Sequence, residues 1–452
     1  MTTLWLHQTR GLAATYDAIR RGIRRILFTC PTGGGKSRCM IELILEHAQR
    51  GVAVAVFTHR RMLLEQISRV LGEHGIDHSI RCAGYDHDES KAVQLCSTAS
   101  EFQRVFNSLR WSAFPAQLLL IDEAHAQKGV MMTSIIQYSE RHNATVIGFT
   151  ATPTELGGHY DELIVAGVNS ELRECGALVP CYTYAPDEPD LAFIKRVKVP
   201  GCDSEDGSAK IDARRSLQYV QQVHARILSE WLRLCETRSH TICFAPDVPA
   251  SLWLAQEFTK AGHRAAHIDS GQIWIDGESY KPEQDIRDSL VKQLDDGSLK
   301  ILTNRFVLRE GIDIPSIRHV LYATVVSSLS SYIQSGGRGL RAAPGKERCV
   351  IQDHGGNWWR HGSLNEDRVW QLDDEDRIIT ATRHRDMREG VRLEPVVCPD
   401  CHGVFYPKPG SGFVCPRCAG KFSRNHWRRK RRSTGAREMQ IAHGIYSSHG
   451  LV

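Results

Sequence analysis

The stretch Ile26-Leu27-Phe28-Thr29-Cys30-Pro31-Thr32-Gly33-Gly34-Gly35-Lys36-Ser37 decides how this chain folds. A short apolar run leads into a glycine turn, and from Ser37 to Gln49 the apolar residues return at helical spacing. Strand, glycine turn and helix in that order form a cradle for phosphate. Glycines let backbone N–H groups wrap an anion, and the positive end of the helix faces it. Thr32, Gly33, Gly34 and Gly35 would line the phosphates, Lys36 would reach the β- and γ-phosphates, and Ser37 would ligate Mg²⁺. The strict pattern begins with glycine where this chain has Cys30. A tight turn that merely caps a helix uses the same glycines, so the assignment needs a second motif.

Leu118-Leu119-Leu120-Ile121-Asp122-Glu123-Ala124-His125 supplies it. Two consecutive carboxylates at the end of a buried strand are costly unless they bind a cation or do chemistry. Asp122 is the candidate Mg²⁺ ligand, and Glu123 the candidate base for the attacking water. An acidic strand-end loop is the plain alternative. Coupled to the glycine loop, the pair reads as a site that hydrolyses a nucleoside triphosphate.

Working outward, Val52–Phe57, Leu118–Ile121 and Thr145–Phe149 are buried-strand runs separated by helix-length segments. The rhythm restarts at Thr241–Phe244 and continues through Ile301-Leu302, His319–Tyr322 and Cys349–Ile351. That alternation predicts an α/β fold with two tandem parallel-sheet domains. The boundaries expected are 1–182 and 216–385 for the two domains, with a connection over 183–215. A cysteine-bearing segment over 386–422 and a basic tail over 423–452 follow.

The composition agrees. The chain has 452 residues, 41% hydrophobic and 24% charged, which excludes a fibrous or wholly disordered protein. Fifty-seven Lys and Arg against 52 Asp and Glu leave only +5, but Lys421 to Arg432 holds seven of the basic residues and no acid. Such a block suits a polyanion. No apolar run approaches the roughly 18 residues of a membrane helix, and the first residues lack a signal-peptide pattern. Of 14 cysteines, four form two close pairs near the C-terminus, which favours reduced thiols plus one metal site. The expected compartment is the cytoplasm, bacterial or phage-infected.

In order and spacing these motifs resemble those of superfamily 2 helicases and translocases, from about Leu6 to Gly362. The glycine loop and Asp122–His125 resemble motifs I and II, and Thr150-Ala151-Thr152-Pro153 resembles motif III, which couples hydrolysis to movement. By that likeness His125, Thr150 and Thr152 are coupling residues. Thr58-His59-Arg60 with Gln66 resembles motif Ia and Ser97-Thr98 resembles Ib, so His59, Arg60, Gln66, Ser97 and Thr98 are expected to touch a nucleic-acid backbone. Leu6-His7-Gln8 resembles the upstream glutamine motif and offers Gln8 to adenine; a plain surface glutamine is the alternative. Thr303, Arg309-Glu310-Gly311 and Asp313 resemble motif V, with Thr303 a nucleic-acid contact and Gly311 and Asp313 nucleotide contacts. Gln334-Ser335-Gly336-Gly337-Arg338-Gly339-Leu340-Arg341 resembles motif VI, with Gln334 coupling and Arg338 and Arg341 meeting charge on the γ-phosphate. Three apart on a predicted helix, the two arginines could face one cleft. The resemblance implies two RecA-like domains. Asp353-His354-Gly355-Gly356-Asn357 and Arg360-His361-Gly362 narrow it to RadD-like bacterial ATPases and their phage-borne relatives, from which Trp358-Trp359 and an insertion over Gly271–Lys281 depart.

Cys398-Pro399-Asp400-Cys401 and Cys415-Pro416-Arg417-Cys418 have the spacing of two zinc knuckles, whose four thiolates would close a structural Zn²⁺ site like a zinc ribbon. An exchanging dithiol or two disulfides are the alternatives. Trp427 beside Arg428, Arg429, Lys430, Arg431 and Arg432 combines an aromatic for stacking with cations for phosphates; the plain reading is a solvated charge run. Three functions follow: an ATP-driven helicase or translocase on single-stranded or branched DNA, an RNA helicase, or an ATP-gated clamp that recruits a protein. A single-stranded-DNA-binding, replication or repair protein is the partner expected. No nuclease constellation is apparent.

Overall fold

The computed structural model describes residues 4–59, 61–127, 129–185, 227–309, 314–388, 396–397, 404–405, 413–415 and 419–422. Two compact units emerge, Met1–Cys175 with Trp370–Ile378, and Gly176–Val369 with Ile379–Val452.

The first unit is built on strands β1 (Arg25–Thr29), β2 (Val54–Thr58), β3 (Ser79–Arg81), β4 (Val93–Ser97), β5 (Leu118–Ile121), β6 (Thr145–Thr150) and β7 (Glu162–Val165). They pair in the order β3-β4-β2-β5-β6-β1-β7, every pair parallel. Every residue of β2, β5 and β6 is buried, as expected of parallel strands covered by helices on both faces. Because the strands run one way, their carboxyl ends share one edge of the sheet. The loops that follow β1, β2, β4, β5 and β6 therefore emerge side by side, the usual place for a ligand in such sheets.

The second unit contains β8 (Cys181–Tyr184), β9 (Thr241–Phe244), β10 (Ala265–Ile268), β11 (Ile273–Ile275), β12 (Glu278–Tyr280), β13 (Ile301–Asn304), β14 (His319–Tyr322) and β15 (Cys349–Asp353). Their order is β12-β11-β10-β13-β9-β14-β15-β8. All pairs from β10 to β8 are parallel. Trp231 is fully buried here, edge-to-face on Phe258 with centroids 5.4 Å apart, and its indole N–H donates to Thr241 Oγ1 at 2.9 Å. The partner matters, since a buried indole N–H left unpaired is costly.

Three expectations change. The first domain ends before 182, because β8 pairs with β15 in the second sheet. Residues 370–378 leave the expected 216–385 domain for the first unit: Glu155 N–H donates to the Asp373 carbonyl at 2.9 Å, and Leu372 packs against the cluster that holds Leu156 and Tyr160. The Gly271–Lys281 insertion is an antiparallel hairpin that lengthens the second sheet. Its turn carries Asp276 at φ 53° and Gly277 at φ 91°, the left-handed pair that matches strand twist, and Trp274 joins the core. The expected connection falls mostly outside the described residues. No described helix is long and apolar enough to cross a membrane.

Candidate active site

The phosphate loop leaves β1 at the shared sheet edge. Gly33 and Gly35 have φ of 89° and 80°, in the left-handed region that side chains avoid. A Cβ on Gly34 would collide with Cys30 Sγ and with Leu172. Gly35 caps the helix Lys36–Gln49 with no side-chain bond, so the first N–H groups of that helix are left for an anion. Cys30 departs from the strict pattern harmlessly. Burial pushes its thiol up to about 12, so it is a neutral filler whose Sγ lies 3.7 Å from the Gly34 carbonyl.

That carbonyl has two further partners, both on the first turn of the helix Leu6–Arg20. His7 Nε2 lies 2.9 Å from it, and Gln8 Nε2 donates to it at 3.2 Å. Gln8 Oε1 accepts the Trp5 N–H at 3.0 Å. The glutamine is thus buried against the loop and is no surface residue. His7 has the same partner, although the motif likeness offers only its neighbour Gln8 as a functional residue.

Asp122 stands at the end of β5, 7% exposed. Burial first, then the charge of Glu123, raises its carboxyl to about 7, while Lys36 and His59 pull it back down. A buried carboxyl so incompletely compensated favours a further cation, and the hard oxygens of Asp122 and Ser37 suit Mg²⁺. Glu123 has φ 47°, an unusual backbone for a side-chain residue and one that clusters at active sites. His125 Nδ1 lies 3.4 Å from Glu123 Oε2 and 3.0 Å from Thr150 Oγ1, which accepts the Thr152 N–H at 3.0 Å. Motifs II and III are therefore in direct contact through His125.

Other expected residues spread more widely. His59 sits at the same edge, Gln66 is exposed on the helix Arg61–Glu73, and Ser97 Oγ accepts the Ser100 N–H at 3.4 Å. The Thr98 hydroxyl points inward and donates to Gln127 Oε1 at 2.5 Å, while Gln127 Nε2 donates to the Asp122 carbonyl at 2.6 Å. Thr303 cannot offer its side chain to nucleic acid. It is 0% exposed inside β13, and its hydroxyl donates to the Ser251 carbonyl at 2.8 Å. Arg60, Gly311, Asp313, Cys398, Cys401, Cys418, Trp427, Arg428, Arg429, Lys430, Arg431 and Arg432 lie outside the described residues; Cys415 is buried.

Motif VI differs from the expected helix. Leu329–Gly337 is helical and carries Gln334, but Arg338–Leu340 is a tighter turn and Arg341 is extended, bridged to Leu178. The two arginines thus do not share one helical face. Gly336 and Gly339 let this segment lie against Leu364 and Cys349, where a Cβ would not fit. The Asp353–Gly362 stretch holds it there. Asp353 accepts Gly355 N–H and Asn357 Nδ2 on Oδ1 and Trp358 N–H on Oδ2, at 3.1, 2.8 and 2.8 Å. His361 stacks on Tyr332, with centroids 5.1 Å apart. Asp353→Ala removes the acceptor of three buried hydrogen bonds and should cost about 3–5 kcal/mol in urea unfolding. A loss below about 1 kcal/mol would mean that Asp353 does not hold this segment in place.

Residues 2–155 match the family described as type III restriction enzyme, res subunit, and residues 224–343 match the helicase conserved C-terminal domain. The chain thus carries a restriction-subunit domain followed by a helicase C-terminal domain, an arrangement similar to that of superfamily 2 helicases. Those domains make it an ATP-hydrolysing helicase, built on two α/β sheets. It is 24% identical over 398 residues to a 51.5 kDa protein of Lactococcus phage (isolate 7-9), which covers 87% of this chain and 77% of that one. It is 25% identical over 369 residues to IRC3 of Saccharomyces cerevisiae, named as a candidate ATP-dependent helicase, with coverage of 77% and 50%. The chain thus spans half the length of that yeast relative. Among solved structures it shares its fold with a fragment of a candidate HsdR subunit of a type I restriction enzyme from Vibrio vulnificus YJ016. The TM-score is 0.58 at 19% identity, over 82% of this chain and 68% of that one. For the restriction-modification enzyme LlaBIII bound to DNA the TM-score is 0.54 at 14% identity, over 77% and 27%.

Proposed function

We propose that this helicase uses ATP to move along DNA, and that the carrying observation is the convergence of five motif loops on one sheet edge. Lys36 and the amides at the start of its helix hold the β- and γ-phosphates. Glu123 takes the proton of the attacking water, with His125 beside it and Thr150 behind. Mg²⁺ bound by Ser37 and Asp122 would neutralise phosphate charge. Arg338 and Arg341 meet the charge that develops on the γ-phosphate, and Gly311 and Asp313 contact the nucleotide. Gln8 would reach adenine with its remaining amide hydrogen and lone pair, since one of each already serves Gly34 and Trp5. His59, Arg60, Gln66 and Ser97 take the strand backbone, and Gln334 with Thr152 couples the two events. DNA is preferred to RNA because one matching family is a restriction-enzyme subunit and LlaBIII is described as bound to DNA.

A zinc segment and a basic tail complete the reading. Each Cys-x-x-Cys follows a strand of a short antiparallel pair, Val396–Val397 with Val404–Phe405 and Phe413–Val414 with Lys421–Phe422. Two such pairs with a buried Cys415 fit a structural Zn²⁺ held by Cys398, Cys401, Cys415 and Cys418. We expect one zinc per chain by metal analysis of protein purified without chelator; none would remove the zinc site. Alanine at Arg428, Arg429, Lys430, Arg431 and Arg432 should weaken binding evenly across sequences and flatten its salt dependence, by up to ~0.9 in log–log slope per lost contact on duplex DNA. Unchanged affinity and slope would leave the tail a solvated charge run. A cytoplasmic setting and a single-stranded-DNA-binding, replication or repair partner belong to the same proposal.

The deciding experiment is ATP turnover with single-stranded, duplex and forked DNA and with RNA. Stronger stimulation by DNA supports the proposal. Stimulation by RNA alone makes the protein an RNA helicase, and none by any of them makes it an ATP-gated recruitment clamp.

A further inference from the structure

We infer that Gln127 is a positioning residue that carries nucleic-acid engagement to the base Glu123; this rests on the DNA-motor reading above. Gln127 follows the short 3₁₀ turn Ala124–Ala126 and is only 5% exposed. Both ends of the amide are used. Oε1 accepts the Thr98 hydroxyl at 2.5 Å, and Nε2 donates to the Asp122 carbonyl at 2.6 Å. The same Thr98 hydroxyl lies 3.3 Å from the Thr58 carbonyl.

Thr58, Thr98 and Asp122 stand at the carboxyl ends of β2, β4 and β5, which are neighbours in the order β4-β2-β5. Gln127 therefore ties the ends of β4 and β5 to each other, and the end of β2 between them lies against the Thr98 hydroxyl. Two of those ends open into the loops proposed to hold the nucleic-acid backbone, and the third carries the acidic pair.

The tie reaches a particular peptide. The Asp122 carbonyl belongs to the peptide that joins Asp122 to Glu123. Its N–H side is held as well, because Glu123 N–H donates to Asp122 Oδ1 at 3.0 Å. Glu123 sits at φ 47°, so a small rotation of that peptide re-aims its carboxylate. When a strand settles on the loops after β2 and β4, any shift of Thr98 is passed through Gln127 to the group that activates water. The neighbouring His125–Thr150 contact leads to motif III and is a separate route.

The test compares Gln127→Met, which keeps the volume and loses both bonds, with Gln127→Glu, which still accepts from Thr98 and cannot donate to Asp122. The whole chain is assayed with a single-stranded oligonucleotide. Both variants should lower stimulated kcat about tenfold while oligonucleotide Kd and the KM for ATP stay within about twofold, because an interaction lost only in the transition state appears in kcat. Thermal midpoints report folding, and if Gln127→Met does not fold, Gln127→Glu decides. Wild-type-like stimulation in the folded variants overturns the inference. So does a parallel loss of Kd, KM and thermal midpoint, which would mark an ordinary structural glutamine. Wild-type protein that no nucleic acid stimulates overturns the motor reading itself, and this inference with it.

Discussion

Lys36→Ala should reduce ATP turnover by on the order of 10²–10³-fold or more, the scale of losing a preorganised charge that meets a developing anion. The lysine opens the helix Lys36–Gln49 directly after Gly35, with the loop backbone wrapped before it. Its charge already reaches the site, since it pulls down the carboxyl of Asp122 and the thiol of Cys30. No other basic side chain is placed by the loop itself. The fold should survive, because the loop is held by glycine conformation and by the His7, Gln8 and Cys30 contacts to Gly34. Steady-state hydrolysis beside a thermal melt measures both. Turnover close to wild type in a folded variant would end the phosphate-loop assignment.

Glu123→Gln is the second large effect. The amide keeps shape and polarity but cannot accept a proton, so kcat should fall by about 10²–10⁴, the usual contribution of a positioned general base. Binding of ATP with Mg²⁺ should persist, because Lys36, Ser37 and Asp122 are untouched. The backbone at φ 47° is also unchanged, so the glutamine occupies the place of the glutamate beside His125, 3.4 Å away in the native protein. Single-turnover hydrolysis with a nucleotide-binding titration separates the steps. Binding without turnover, and a long-lived complex with DNA, is the expected pair of results. Normal hydrolysis would mean that another group activates the water.

Several features were legible in the sequence. The glycine loop could be read because its requirements are local: left-handed φ at Gly33 and Gly35, and no room for a Cβ at Gly34. Two parallel sheets could be read because a strand buried on both faces must be apolar throughout, as in Leu118–Ile121. The motif likeness offers Thr303 to nucleic acid, yet a likeness says which residue is present and not which way an interior strand turns it. Arg338 and Arg341 look three apart on a helix, but Gly337 and Gly339 end that helix and a bridge to Leu178 extends the chain.

The sequence by itself determined which chemistry each loop carries and the order of those loops along the chain. Periodicity, glycine and paired carboxylates are short-range properties, and they need no partner to be recognised. Only the tertiary structure decided which loops meet. The order β4-β2-β5 brings Thr98, Thr58 and Asp122 together under Gln127, the pairing of β8 with β15 ends the first unit at Cys175, and Leu372 returns to the first core. These are contacts between residues distant in the chain. They are selected by strand order and packing over the whole unit, and no local pattern encodes them.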